Sequence, residues 1–274
     1  MNYRIEELNE LVTIADRLCT GGERTSATTF KAYHAEEVFN KLCLHLNSLR
    51  NHLSFHASDQ SNIDISVLAS IVRMIIESSN AVFYFCERGL SDEEVEFRVY
   101  LYAHHHSIEQ NAILEKLSID TRWFSHWGFS SIRVLEENKY FQSLTQGEQK
   151  QLLKGQKAYY RRGVRSKLSP FPKEIEEGLY KLFSNYTHSF PLGNTLYMGR
   201  GNLNPLNIVN SLFLVIETAI SFSSSAMKSY SSLRRKIGQR VTAEEKLFVK
   251  NAAKSKCLIK WLEQENRNQK ARMF

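Results

Sequence analysis

The stretch from Ile65 to Arg88 constrains the fold more than any other part of the chain. Its spacing predicts a helix of about six turns, ended by Gly89, because glycine adopts the left-handed conformation that follows a helix C-terminus. A helix that is apolar on nearly every face is usually buried. We therefore expect a long central helix buried inside the fold. Its apolar residues are Val67, Leu68, Ile71, Val72, Met74, Ile75, Ile76, Val82, Phe83 and Phe85.

One narrow polar stripe interrupts the apolar surface of this predicted helix. At about 100° per residue its members share a sector of roughly 80°. A buried arginine must be paired, and Glu77 lies four residues after Arg73, where it can reach the guanidinium. The stripe is therefore either a core ion pair with polar neighbours or the wall of an internal polar site. Its members are Ser66, Ser70, Arg73, Glu77, Asn80 and Tyr84.

Composition sets the class of protein and its compartment. The chain has 274 residues, 42% of them hydrophobic, with a net charge of +7, which suits an anionic partner such as RNA, DNA or a membrane surface. The four cysteines lie far apart without a CxxC pair, which predicts neither a zinc site nor a disulfide framework and favours a reducing compartment. The segment MNYRIEELNELV lacks the apolar core of a signal peptide. We expect a cytoplasmic protein with no membrane partner, no cofactor and no metal.

The few prolines and glycines separate long periodic segments, as in an all-α protein. This predicts one helical domain over residues 1–274, a compact bundle of about seven to nine helices. Within it we expect N-terminal helices over 1–58, a core with a polar cluster over 64–200, and long C-terminal helices over 205–274. The most apolar later stretch, 208–220, is too short and polar to span a bilayer and predicts a buried helix. Ser91 with Glu94 and Thr242 with Glu245 match the capping-box pattern at helix starts.

A basic segment begins after Gln146 and is the best candidate for binding nucleic acid. Its lysines and arginines follow an i, i+3, i+7, i+11 spacing, which places them on one helix face. A tyrosine interleaves with them, and such a basic face with an aromatic residue is typical of nucleic-acid binding. The alternative is an ordinary solvated helix surface. The residues are Lys154, Lys157, Tyr160, Arg161 and Arg165.

One pair of residues matches a known catalytic spacing. His56 follows Arg50 by six positions, and the segment Arg50 to His56 resembles the Arg-x4-6-His motif of the HEPN superfamily. That superfamily consists of all-helical domains, many of them metal-independent ribonucleases of toxin–antitoxin and antiviral systems. The resemblance implies that Arg50 holds the scissile phosphate and that His56 transfers protons, which suits the chemistry of both side chains. Arg98 with His104 or His105 fits the same spacing.

A broader resemblance covers residues 64–191. The pattern Arg73-x3-Glu77, then Arg98, then Ser-x-Tyr186-x-His188 is similar to that of an uncharacterised family of bacterial all-helical domains. The resemblance implies that these five side chains converge around one polar pocket. Such a pocket suits an anion such as a phosphate. It equally suits a buried network that fixes the register of the helices.

Two functions from different classes follow from these observations. The first is a HEPN-like, metal-independent endoribonuclease of the toxin or antiviral-defence type, with RNA as substrate, an antitoxin or other partner protein, and a homodimeric state. The second is a non-enzymatic helical module that binds a partner protein or a small anionic or nucleotide ligand.

Overall fold

The computed structural model describes residues 2–20, 27, 29–55, 63–119, 131–160, 168–188 and 205–272. Helices account for most of these residues, and none of them forms a strand. The predicted all-α bundle is confirmed, with more helices than expected. In chain order the helices are α1 (Asn2–Thr20), α2 (Phe30–Phe55), α3 (Ile65–Cys86), α4 (Asp92–Lys116), α5 (Ser131–Glu137), α6 (Lys139–Gln142), α7 (Gln146–Leu152), α8 (Lys173–Thr187), α9 (Pro205–Leu233), α10 (Arg235–Gly238), α11 (Ala243–Ala252) and α12 (Lys256–Arg272).

The additional helices arise where a helical stretch is interrupted. Asn138 separates α5 from α6, and its side chain accepts the Phe141 N–H at 3.1 Å and caps α6. Ser255 separates α11 from α12 and has a φ of 54°. A positive φ interrupts helical geometry, so one periodic stretch becomes α11 and α12.

The long central helix is confirmed as α3. It begins after Asp64, whose carboxylate accepts the Ser66 N–H at 2.8 Å, and Gly89 follows its end with a φ of 78°. Most of its side chains are buried, and it packs against α9 and α8. Val67 and Met74 are exposed, so one edge of α3 reaches solvent.

Contacts along the backbone group the chain into two compact units. Unit 1 comprises Met1–Thr28, Ala35–Cys86 and Ser166–Phe274, and unit 2 comprises Thr29–His34 and Glu87–Arg165. The longer segment of unit 2, Glu87–Arg165, therefore lies between α3 and α8 in the sequence, and the shorter one includes the first residues of α2.

The core of unit 1 is organised around α9. This helix packs against α3, α1 and α11. By length and composition alone, Ile65–Cys86 in α3 and Ile208–Leu233 in α9 could each cross a membrane, yet 61% and 72% of their apolar windows are buried in the fold. Core helices pass the same test, so this is weak evidence, and the cytoplasmic location stays a prediction. The buried helix expected at 208–220 is found, within a longer helix.

A buried ion pair joins α1 to α9. The Arg4 guanidinium donates to both carboxylate oxygens of Glu217, with Nη2 to Oε2 at 2.7 Å, and it also bonds Glu7. The Glu217 side chain is only 1% exposed. Burial raises the pKa of Glu217 and the nearby Glu7 adds to the rise, while Arg4 opposes it without cancelling it. Arg4 thus supplies the counter-ion and hydrogen bonds that the buried Glu217 carboxylate of α9 needs in the core.

A disulfide links α1 to α2, which corrects the expectation from cysteine spacing. Cys19 and Cys43 are bonded across a sequence separation of 24 residues. Distance along the sequence was a poor guide because these two helices lie side by side and bring the cysteines together. Cys86, which is buried, and Cys257, which is exposed, are not part of this disulfide.

Unit 2 has its own apolar core, built from α4 to α7 and the segment after them. Phe97 lies at its centre, with ring centroids 5.1 Å from Tyr140 and 5.3 Å from Tyr160. The other buried members of this core are Leu101, Leu135, Phe141 and Leu152.

Candidate functional site

The polar stripe of α3 faces a matching polar stripe on α8. As the residue number on α3 rises from 70 to 80, that of its partner on α8 falls from 187 to 176, so the two helices run antiparallel along this line. We call this line of contacts the α3–α8 seam. The bonded pairs are Ser70 with Thr187 at 3.2 Å, Arg73 with Ser184 at 3.4 Å, Tyr180 with Glu77 at 2.7 Å, and Asn80 with Glu176 at 3.0 Å.

Arg73 stands at the middle of the seam, and the side chains around it form what we call the Arg73 cluster. Its Nε donates to Glu77 Oε1 and to Tyr180 Oη, both at 3.2 Å. Its Nη1 lies 3.4 Å from Ser184 Oγ and 3.4 Å from His188 Nε2. The guanidinium carbon lies 5.1 Å from the Tyr180 ring centroid, within the range of a cation–π contact. One edge of the guanidinium is thus held by Glu77 and Tyr180, and the contacts of the Nη1 edge, to Ser184 and His188, are longer.

The Arg73 cluster is open to solvent, which corrects the expectation of a buried arginine. The side chains of Arg73 and Glu77 are 28% and 45% exposed. Burial raises the pKa of Tyr180, and its hydrogen bond to Glu77 raises it further, with Arg73 opposing. Burial lowers the pKa of Arg73, but Tyr180 and Glu77 more than offset this and raise it above the ordinary value. Tyr180 is therefore a neutral O–H donor and Arg73 a permanent cation at neutral pH.

Other residues of the predicted pocket lie along or beside the seam. Asn80 bonds Glu176, which also accepts the Ser169 hydroxyl at 2.6 Å and so fixes the start of α8. Tyr84 is half-buried and its ring meets Phe85 edge to face. Tyr186 is half-buried on α8 and lies two residues from both Ser184 and His188, which places it on the opposite side of the helix.

Arg50, the first residue of the HEPN-like motif, has partners within unit 1. Its guanidinium donates to Asn47 and lies 3.9 Å from an Asp16 carboxylate oxygen. Asn47 in turn donates to Asp16 at 2.6 Å, so the three side chains join α1 to α2. His56 lies outside the described residues, and the proposed pair with Arg50 stays a prediction.

Arg98 is engaged by two carboxylates of unit 2. Its Nη1 lies 2.7 Å from Glu87 and its Nη2 lies 2.9 Å from Glu94. Glu94 is thereby used for an ion pair, and only half of the predicted capping box forms, in which Ser91 accepts the Glu94 N–H at 3.2 Å. A guanidinium with two carboxylates already bound is poorly suited to take up a phosphate.

The histidines that follow Arg98 hold backbone carbonyls. His104 is buried and its Nε2 lies 3.0 Å from the Leu153 carbonyl oxygen. His105 Nδ1 lies 2.6 Å from the Gly155 carbonyl oxygen. A carbonyl only accepts, so each of these ring nitrogens carries the proton. Both imidazoles fasten the turn after α7 onto α4.

The basic segment departs from the predicted helix. Helix α7 ends at Leu152, so exposed Lys154 lies in a turn and exposed Lys157 in irregular structure, and the two do not share a helix face. Tyr160 is buried against Phe97 and its hydroxyl donates to Glu148 at 3.3 Å, so its ring belongs to the core of unit 2 and does not interleave with the basic side chains. Arg161 and Arg165 lie outside the described residues. Within the part of the chain that the structure describes, no group of three or more metal-ligating side chains occurs.

Sequence reasoning named Arg73, Glu77 and His188 but missed how α8 meets them. Tyr180 and Ser184, not Tyr186, supply the remaining side chains of the Arg73 cluster. A signal was present, because Glu176, Tyr180, Ser184 and His188 are each four residues apart and so share one helix face.

Comparisons with known proteins add no relative. Family models, curated protein sequences and solved structures were searched, and no significant match to this chain was found among them. Both resemblances therefore remain predictions.

Proposed function

We propose that this protein is a helical module that binds a phosphate-bearing ligand at the Arg73 cluster. One observation carries the proposal: the Nη1 edge of Arg73 reaches solvent between Ser184 and His188, 3.4 Å from each. Guanidinium, hydroxyl and imidazole groups are the donors that bind phosphate oxygens in proteins. Glu77 and Tyr180 fix the orientation of the guanidinium from its other edge.

The other arginines considered for this role are less suited to it. Arg98 already has two carboxylate partners, and Arg50 lies beside Asn47 and Asp16. In the Arg73 cluster a single carboxylate, itself 45% exposed, faces the cation. Solvent weakens such an exposed pair, so an incoming phosphate competes with it at low cost.

Isothermal titration with inorganic phosphate, a mononucleotide and a short single-stranded RNA tests this proposal. Arg73→Ala should weaken binding by about tenfold or more, since a charge-assisted contact contributes about 1.5–3 kcal/mol. Arg133→Ala is the matched control, because Arg133 also pairs with a glutamate four residues on, at 2.8 Å, but its side chain on α5 is 83% exposed. Equal affinities for wild type and Arg73→Ala would refute the proposal.

A metal-independent ribonuclease is the second candidate, and one contact favours it. His188 Nε2 lies 3.4 Å from Arg73 Nη1, which places a group able to transfer protons beside the group that would hold the scissile phosphate. Incubation of total RNA with wild type and His188→Ala, with and without EDTA, separates the two functions. Cleavage that survives EDTA and is lost in His188→Ala would support the ribonuclease. Binding without cleavage would leave the binding module.

A further inference from the structure

Four aromatic side chains of unit 2 form a continuous row of ring contacts. Tyr33 meets His34 edge to face, with the ring centroids 5.3 Å apart, and His34 meets Tyr102 in the same way at 5.4 Å. The Tyr102 ring in turn lies 5.9 Å from that of Tyr159. We call these four residues the aromatic row. It joins the start of α2 to α4 and to the segment after α7, so three separate parts of the sequence build it.

The aromatic row is open to solvent. Tyr33 is 39% exposed, and the other three side chains are half-buried. Phe30 lies four residues before His34 on α2, is 69% exposed, and extends this aromatic surface. The core of unit 2, in contrast, covers its central ring, Phe97, completely. The rings of the row are therefore held by one another and still keep accessible surface, which suits a contact surface better than a core.

Cationic side chains lie beside both ends of the row. Lys31 lies two residues before Tyr33, and its Nζ donates to the Glu87 carbonyl oxygen at 2.8 Å, which fixes this ammonium group within unit 2. Lys157 lies two residues before Tyr159 and is exposed. The chain as a whole carries a net charge of +7. The surroundings of the row therefore attract a polyanion.

Planar rings beside cations match the chemistry of a single-stranded nucleic acid. Its bases stack on aromatic side chains, while its phosphates are attracted to lysines. A surface for another protein is less well matched, because lysine is depleted from the cores of protein interfaces. The charge and the composition of this surface thus agree on one class of partner.

We propose that the aromatic row is a binding surface for single-stranded nucleic acid. Its rings stack against bases, and Lys31 and Lys157 attract the phosphates between them. Stacking reads no base edge, so binding has little sequence preference, and its affinity falls as the salt concentration rises. The row belongs to unit 2 and the Arg73 cluster to unit 1, so this inference does not depend on the proposed function.

Fluorescence anisotropy with a labelled single strand of about 12 thymidines tests this inference. The measurements use full-length Arg73→Ala protein, in which the proposed phosphate site is removed, so that binding reports on the aromatic row. Adding Tyr33→Ala should weaken binding about fivefold or more, through the loss of one stacked base. Adding Tyr33→Phe, which keeps the ring, should leave the affinity unchanged. Tyr3→Ala is the matched control, because Tyr3 is also an exposed tyrosine, at 71%, but lies on α1 of unit 1.

A lysine variant tests the contacts to phosphate. Adding Lys157→Gln should weaken binding and make the affinity less dependent on salt, since one phosphate contact is lost. Equal affinities with and without Tyr33→Ala would overturn the inference. A strand bound by wild type but not by Arg73→Ala would overturn it and support the proposed function. Absence of strand binding in both proteins would overturn it too, and a dimer that Phe30→Ala dissociates would then assign the surface to a second copy of the chain.

Discussion

Arginine side chains serve two different purposes in this protein. Arg4 and Arg234 are largely buried, and each neutralises a carboxylate, Glu217 or Glu36, in the interior of unit 1. Arg73 lies at the surface of the same unit with one edge turned to solvent. A buried ion pair is costly to break, while an exposed pair contributes little, so these residues differ sharply in what their removal does.

Breaking the buried Arg4–Glu217 pair should lower the stability of the fold more than breaking an exposed ion pair. Arg4→Ala leaves the Glu217 carboxylate buried without its cation, and we expect the free energy of unfolding in urea to fall by about 3–5 kcal/mol. Arg133→Ala, at a side chain 83% exposed, should change it by less than about 1 kcal/mol. Replacing all three side chains, as Arg4→Met with Glu7→Gln and Glu217→Leu, should recover most of the loss, because Glu7 also pairs with Arg4. A triple variant as unstable as Arg4→Ala would contradict this account.

His45 makes the stability of the fold depend on pH. Burial, the largest influence, lowers its pKa below the ordinary value, so its contribution to stability is present above about pH 6.5. As the pH falls below that value the unfolded chain binds a proton that the folded chain takes up less readily, and this contribution is lost. Urea unfolding at pH 7.5 and 5.5 should show a smaller loss for His45→Gln than for wild type. Equal losses would show that His45 is not responsible.

At the residue scale, sequence reasoning found part of the Arg73 cluster. Arg73 and Glu77 were detectable because an i, i+4 ion pair on an apolar helix stands out. Tyr180 and Ser184 were not assigned to the predicted pocket, because their contacts require α8 to lie antiparallel to α3 in one register, and pairing between distant helices is not encoded in local spacing. The burial that lowers the pKa of His45 could not be recognised, since it is visible only once the neighbours of the imidazole are placed.

Among the helices, the ends that were predicted from a side-chain cap agree best with the structure. Thr242 and Glu245 form both hydrogen bonds of a capping box at the start of α11. In contrast, the helix expected to continue through Lys154 ends at Leu152, because the carbonyls of Leu153 and Gly155 are taken by His104 and His105. Local capping is visible in the sequence, whereas a bond from another helix is not.

The turn after α7 depends on a glycine for two separate reasons. Gly155 has a φ of 67°, and a Cβ atom there would lie 2.5 Å from Ile108 Cγ1. We expect Gly155→Ala to lower the free energy of unfolding by about 2–4 kcal/mol, from a left-handed conformation and overpacking together. Urea unfolding with intrinsic fluorescence measures the loss.

Two other glycines allow the effect of the left-handed conformation to be measured apart from that of the clash with Ile108. Gly89 has a φ of 78° but open space around it, so Gly89→Ala should cost only the conformational part, about 1–2 kcal/mol. Gly147 lies within α7 with open space, and Gly147→Ala should stabilise the protein by about 0.5–1 kcal/mol. Equal losses at Gly155 and Gly89 would argue against the clash with Ile108.

At the scale of the whole molecule, the cysteines give a simple test of the described structure. Protein prepared without reductant should show one rapidly reacting thiol with a chromogenic disulfide reagent, because Cys257 is exposed. Unfolding should release one more, from buried Cys86, and reduction of the unfolded chain should release the two from Cys19 and Cys43. Four reactive thiols in unfolded, unreduced protein would contradict the bond between α1 and α2.

The long segment of unit 2 between α3 and α8 affects the order in which the helices of unit 1 can pack during synthesis. Helix α3 leaves the ribosome long before α8 and α9, the two helices that pack against it. Until residue 233 has been synthesised, the strongly apolar helix α3 lacks α9 as a packing partner. Exposed apolar surface of this kind binds chaperones and promotes aggregation. Unit 2 has its apolar core within one continuous stretch, so it is free to fold during that interval. The order of synthesis therefore makes the α3–α8 seam one of the last features to form.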